Sequence, residues 1–199
     1  MRVRSPDGTS VPATVDQFTF VAPPTVTKLK KVPKTKALIS GGDGVMIIGT
    51  GFTTASAVTF GSSPAASFTI VNDTTINAVT PVMVFAGPVD VTVTNTGGTS
   101  AINKHDVCKF KAVTPTVTSV VPNAGPVAGG TVVTITGTFF TPGALVLFGA
   151  IPATNVTCTQ TSCTATAPAA KKAGAVDVRV KANKKPSKKT PPADTFTYS

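Results

Sequence analysis

The sequence predicts an all-β chain made of two similar β-sandwiches strung in tandem. Three observations carry that prediction. The stretch Gly129-Gly130-Thr131-Val132-Val133-Thr134-Ile135-Thr136-Gly137-Thr138-Phe139-Phe140 alternates apolar and β-branched residues with Thr, the pattern of a strand with one buried face. It recurs upstream as Gly41-Gly42-Asp43-Gly44-Val45-Met46-Ile47-Ile48-Gly49-Thr50-Gly51-Phe52, with Gly130 and Gly137 each 88 residues after Gly42 and Gly49. The composition agrees: 17 Gly and 17 Pro punctuate a chain rich in Thr and Val, and all eight acidic residues are Asp. Turn formers between β-branched runs suit short strands, and the absence of Glu disfavours long helices.

The repeat extends along the chain. Val58-Thr59-Phe60-Gly61 matches Val146-Leu147-Phe148-Gly149, and Pro64-Ala65 matches Pro152-Ala153, again 88 residues apart. Gly87-Pro88-Val89-Asp90-Val91-Thr92-Val93 matches Gly174-Ala175-Val176-Asp177-Val178-Arg179-Val180 at a spacing of 87. A one-residue loop deletion accounts for the change. The start of the chain reads as an incomplete third copy. Arg2-Val3-Arg4 lines up with Arg179-Val180-Lys181, and Asp16-Gln17-Phe18-Thr19-Phe20 with Asp106-Val107-Cys108-Lys109-Phe110 and Asp194-Thr195-Phe196-Thr197-Tyr198. Residues 1–22 are therefore expected to be the last two strands of a repeat, 23–113 a first whole sandwich and 114–199 a second.

Pro-rich joints, Ala22-Pro23-Pro24-Thr25 and Thr114-Pro115-Thr116, stop strands from running on and stiffen the links. Within the first whole repeat, strands are expected near residues 26–31, 45–49, 57–60, 67–71, 75–79, 89–94 and 107–110. The second repeat has its strands at the same spacings. Short strands with Gly or Pro turns imply a sandwich or a barrel, and a unit of about 90 residues suits one small sandwich core. Phe52 and Phe140, Phe60 and Phe148, and Phe110 and Tyr198 are the expected core anchors. The early strand pair is expected to pack, on its own sandwiches or on a neighbour's sheet, because unpaired strand edges seek partners.

A net charge of +10 and a pI near 9.8 favour anionic neighbours: nucleic acid, a wall polymer, lipid headgroups or an acidic protein face. The same charge also keeps a Thr-rich surface soluble. Lysines cluster twice, at Lys28, Lys30, Lys31, Lys34 and Lys36, and at Lys184, Lys185, Lys188 and Lys189 in a loop between the last two strands. Clusters of Lys without Arg or interleaved aromatics lack the means to read bases. The second cluster reads first as a solvated loop and alternatively as a loose electrostatic contact with an anionic surface polymer, and sequence-specific nucleic-acid binding is not expected.

Chemistry is sparse. Cys158 and Cys163 enclose four residues; a disulfide there would staple a hairpin tip, suit an oxidising compartment, and contribute about 2 kcal/mol in the loop-entropy account. Cys108 sits in an alternating pattern and reads as a small core residue. A nucleophile pair of Cys108 with His105, the only His, can be written down, but sequence proximity alone builds no such geometry. Neither catalysis nor a cofactor is expected. The matched Asp residues, Asp90 with Asp177 and Asp16 with Asp106 and Asp194, read as turn caps rather than as a metal site. Trp is absent and Tyr198 is the lone Tyr, which argues against an aromatic sugar platform. Met1-Arg2-Val3-Arg4 leads into turn residues with no apolar signal region, and no apolar run is long enough to span a bilayer.

The run Val117-Thr118-Ser119-Val120-Val121-Pro122-Asn123-Ala124-Gly125-Pro126, followed by Gly129-Gly130, Val133-Thr134-Ile135-Thr136-Gly137 and Val146-Leu147-Phe148-Gly149, resembles an IPT/TIG domain. The first whole repeat is similar but has Lys34-Thr35-Lys36-Ala37-Leu38 where the Pro-x-x-Gly-Pro run should be. The resemblance implies an early-set immunoglobulin-like sandwich and no single activity. In transcription factors such domains help dimerise or touch DNA; in receptors they are spacers that bind ligands. The cysteine hairpin followed by Thr164-Ala165-Thr166-Ala167-Pro168 looks like the bacterial form. The expected role is a non-catalytic stalk, spacer or decoration on a bacterial or phage surface. Its partners would be a protein or neighbouring copies of itself. The alternatives are an accessory module of a secreted enzyme, or a nucleic-acid-associated module.

Overall fold

The computed structural model describes residues 4–6, 8–9, 20–32 and 37–199, all of them strand, turn or irregular, with no helix. A short hairpin opens the chain, β1 (Arg4–Ser5) and β2 (Gly8–Thr9). The first sandwich comprises β3 (Thr25–Val32), β4 (Ala37–Leu38), β5 (Gly44–Thr50), β6 (Ala57–Phe60), β7 (Ser63–Pro64), β8 (Ser67–Asn72), β9 (Thr75–Val79), β10 (Gly87–Asn95), β11 (Gly98–Thr99) and β12 (Val107–Lys111). The second repeats it as β13 (Thr116–Val121), β14 (Ala124–Gly125), β15 (Val132–Thr138), β16 (Leu145–Phe148), β17 (Ile151–Pro152), β18 (Thr154–Cys158), β19 (Ser162–Thr166), β20 (Gly174–Ala182), β21 (Lys185–Pro186) and β22 (Thr195–Tyr198).

Each sandwich faces a four-stranded sheet against a larger one. In the first, β3-β5-β9-β8 packs on β4-β12-β10-β6-β7, with β11 on β10. In the second, β13-β15-β19-β18 packs on β14-β22-β20-β16-β17, with β21 on β20. The seven strands expected in the first repeat all form; the two-residue strands β4, β7 and β11 add to them. The strand expected near residues 16–20 lies outside the described residues, Phe20 apart.

The alternating strands do what their pattern requires. β15 is buried at every second residue, with Val133, Ile135 and Gly137 inward. Two separate cores result, one around Ile47, Phe52, Phe60, Ile76, Val91 and Phe110, the other around Ile135, Phe140, Phe148, Val178, Phe196 and Tyr198. Phe60 meets Phe110 edge to face at 6.1 Å, and Phe148 meets Phe196 at 5.1 Å, the arrangement ring quadrupoles favour. Every expected aromatic anchor is buried.

Local detail repeats as well. β3 bulges between Val26 and Lys28, and β13 between Val117 and Ser119; Thr27 and Thr118 donate their hydroxyls to the Ile48 and Thr136 carbonyls, both at 3.1 Å. The departure around residues 34–38 does not cost the first sandwich its parallel strand. Ala37 pairs with Phe110 as Gly125 pairs with Tyr198, while residues 33–36 lie outside the described residues. Three hairpins share one register: Arg4 opposite Thr9, Thr94 opposite Thr99, and Lys181 opposite Pro186.

Candidate interaction site

The second lysine cluster lies on the β20–β21 hairpin and the loop beyond it. Asn183 and Lys184 form the tip with φ of 49° and 66°, the left-handed pair that a two-residue hairpin turn demands. Beyond the hairpin the loop is tied down. The Arg179 guanidinium donates to the Ser187 carbonyl at 2.9 and 2.6 Å, and the Thr190 amide donates to the Asp194 carboxylate at 2.8 Å.

The four lysines have different circumstances. Lys184 and Lys188 are exposed. The Lys189 ammonium pairs with Asp177 at 2.6 Å, largely in solvent, where such a bridge is worth little. Lys185 is half-buried and donates to the Ala112 carbonyl, at the exit from the first sandwich, at 2.9 Å. In the first cluster, Lys28 and Lys30 are exposed on β3, paired in register with Ile48 and Met46 of β5; Lys34 and Lys36 lie outside the described residues.

Cys158 and Cys163 are bonded across β18 and β19. Their hairpin is also where the repeat spacing changes. Cys158 corresponds to Ile70 at a spacing of 88 and Cys163 to Ile76 at 87, so the missing residue falls in this turn. The first sandwich closes it differently. The Asp73 carboxylate accepts the Gly51 and Thr53 amides, each at 3.2 Å, and the Thr53 hydroxyl at 2.8 Å. Those bonds, the Thr53 hydroxyl foremost, hold its pKa below the ordinary value.

The structure does not join His105 to Cys108. His105 is exposed in a turn, its amide donating to Asn103, while the Cys108 thiol is fully buried in the core. Asp106 and Asp194 are buried turn caps, as their matched positions imply, accepting the Asn103 and Thr190 amides at 2.8 Å. Among the described residues, no three His, Cys, Asp or Glu groups gather as a metal site, and no helix is long and apolar enough to cross a membrane.

Sequence reasoning passed over Phe139, Asn183 and Arg179. Asn183 had a readable signal, since Asn favours left-handed turn positions; Phe139 had none, because only the neighbouring sandwich explains it.

The IPT/TIG domain model matches residues 24–107 and again 115–198. The chain belongs to the IPT/TIG family. Its two TIG domains are thus the two sandwiches described above. Among solved structures, the surface glycan-binding protein PbSGBP-B from Prevotella bryantii is similar, with a TM-score of 0.58 and 18% identity over 88% of this chain and 42% of that one. The extracellular region of plexin A4 matches over 98% of this chain and 21% of that one, at 18% identity and a TM-score of 0.43. The Escherichia coli adhesin FdeC matches over 89% and 65%, at 16% identity and a TM-score of 0.34. The tandem therefore spans less than half of the first two proteins, and at 18% identity the likeness to PbSGBP-B is one of fold alone. No curated protein matches the chain by sequence.

Proposed function

We propose that this TIG tandem is a non-catalytic structural and adhesive module of an extracellular surface: a stalk, spacer or decoration on a bacterial cell or a virion. Three observations support the reading. The interiors are filled with aliphatic and phenyl side chains, the reactive pair the sequence allows is split between solvent and core, and the prominent polar feature is an exposed lysine loop. The Cys158–Cys163 disulfide supports an oxidising location.

The partner proposed for that loop is an anionic surface polymer, met through Lys184 and Lys188, with Lys189 beside them. Lys185 contributes charge from its place at the joint. Such a contact is electrostatic and screened by salt, and it carries no base-reading groups.

The test is retention on an immobilised polyanion, dextran sulfate, beside neutral dextran. Retention at low salt that falls steeply with added salt, and that the Lys184→Glu, Lys188→Glu double variant loses, is the expected result. Passage of the unmodified chain at low salt, or equal retention of the variant, would overturn the reading. Binding to duplex DNA as strong as to dextran sulfate would move it to the nucleic-acid-associated alternative.

A further inference from the structure

We infer that the two TIG domains are locked at a fixed relative orientation by a joint made of Phe139, Asn183 and Lys185. The pair is one stiff body, and the stiffness comes from this joint rather than from proline in the linker. The inference is independent of what the exposed lysines bind.

Backbone conformation gives the first argument. Among the described residues, four non-glycine residues have left-handed φ: Phe139 at 57°, Asn155 at 49°, Asn183 at 49° and Lys184 at 66°. A bulky side chain is disfavoured there and persists only where its surroundings demand it. Asn183 and Lys184 are set by their hairpin turn and Asn155 by the bulge of β18, which leaves Phe139 to be explained by the boundary between the domains. The counterpart of Phe139, 88 residues earlier, is Gly51, with φ of 74°. The turn is therefore left-handed in both domains, and glycine suffices for it. A phenyl ring at that position needs another reason, and it has one: Phe139 packs against the core of the first domain, as does Val113 of the linker.

Hydrogen bonds give the second. The Asn183 side chain grips the β9–β10 loop of the first domain, donating to the Val84 carbonyl at 3.3 Å and accepting the Ala86 amide at 3.1 Å. Lys185 holds the Ala112 carbonyl. Only residues 112–115 separate β12 from β13, so an apolar contact and three polar ones act on a very short connection.

The same hairpin is used at the start of the first domain, with different residues. Asn95 donates its amide to the Ala22 carbonyl at 3.0 Å and to the Gly51 carbonyl at 3.2 Å. A Cβ on Gly97 would collide with the Val21 carbonyl, so the entering chain lies directly on that glycine. Val21 and Ala112 are equivalent, each four residues ahead of the first strand of its domain. At the second joint Lys184 replaces Gly97, and the Ala112 carbonyl is met by the Lys185 ammonium instead. In both domains, then, this hairpin seats on the chain that enters.

The experiment measures residual dipolar couplings of the full chain in a dilute aligned medium. A single alignment tensor should fit both domains. The triple variant Phe139→Gly, Asn183→Gly, Lys185→Ala should require two tensors, with each domain keeping its own internal couplings. Glycine accepts the left-handed turns at 139 and 183, so the substitutions keep both backbone turns. Asn155→Gly, a left-handed position within the bulge of β18, should leave the single tensor intact. Two tensors in the unmodified chain, one tensor surviving in the triple variant, or a split caused by Asn155→Gly would each overturn the inference. None of these outcomes bears on polyanion binding, which the Lys184, Lys188 variant tests separately.

Discussion

Cys158 stands directly opposite Cys163 across β18 and β19, at the place that Ile70 and Ile76 hold across β8 and β9. The pair is a covalent substitute for an apolar contact at the rim of one sheet. Reduction should lower the stability of the second TIG domain by about 2 kcal/mol and leave the first unchanged. Scanning calorimetry with and without reductant checks this. The double variant Cys158→Ile, Cys163→Ile should be insensitive to reductant; equal shifts of both domains would count against the assignment.

Asp73 gives the first domain an acid-sensitive turn. Its folded pKa lies below the unfolded value, so its contribution is present above the unfolded pKa of about 3.9 and is lost as pH falls through the lowered folded one. Asp73→Ala should reduce the melting temperature of the first domain at neutral pH, and the gap to the unmodified chain should close by strongly acidic pH. A gap independent of pH would show that the carboxylate charge is not involved.

Tyr198 marks the second domain at the alkaline end. It is buried, and its hydroxyl donates to the Pro168 carbonyl at 2.9 Å; burial raises its pKa above the ordinary value. Its contribution is complete below the unfolded pKa of about 10 and is lost as pH rises through the folded one. Tyr198→Phe, which copies the Phe110 of the first domain, should cost about 1 kcal/mol at neutral pH and remove this part of the alkaline loss. Denaturant titrations at neutral and alkaline pH report both.

Gly137 is fixed by the crossing of the first strand. A Cβ there would collide with the Thr116 carbonyl and the Phe140 ring, just as one on Gly49 would collide with the Thr25 carbonyl. Gly137→Ala should destabilise the second domain by about 1–3 kcal/mol through overpacking, although alanine is ordinarily the better strand residue. An unchanged urea midpoint would mean that the strand shifts freely.

Much of this was legible in the residues. The 88-residue spacing placed Ile47 and Ile135 on matching strands, and the paired aromatics named the core, because one domain's packing is written in its own periodicity. The two-residue strands β4, β7 and β11 were not legible, since two residues have no period. The lysine loop was found as composition, yet the roles of its members were not, because Lys185 answers to Ala112, 73 residues away. Phe139 looked like half of an aromatic pair. That its neighbour Phe140 fills one core while it covers another depends on how two folded bodies meet.

The glycine at position 97 and the lysine at 184 also make the two modules non-interchangeable. If their order along the chain were reversed, the lysine tip would face an incoming peptide that lies against a bare glycine in the present order, and the phenyl ring of Phe139 would lose the particular body it rests on. Shuffled arrays of these units should therefore assemble correctly only when each keeps its own predecessor, so the order of modules is written into the seams between them.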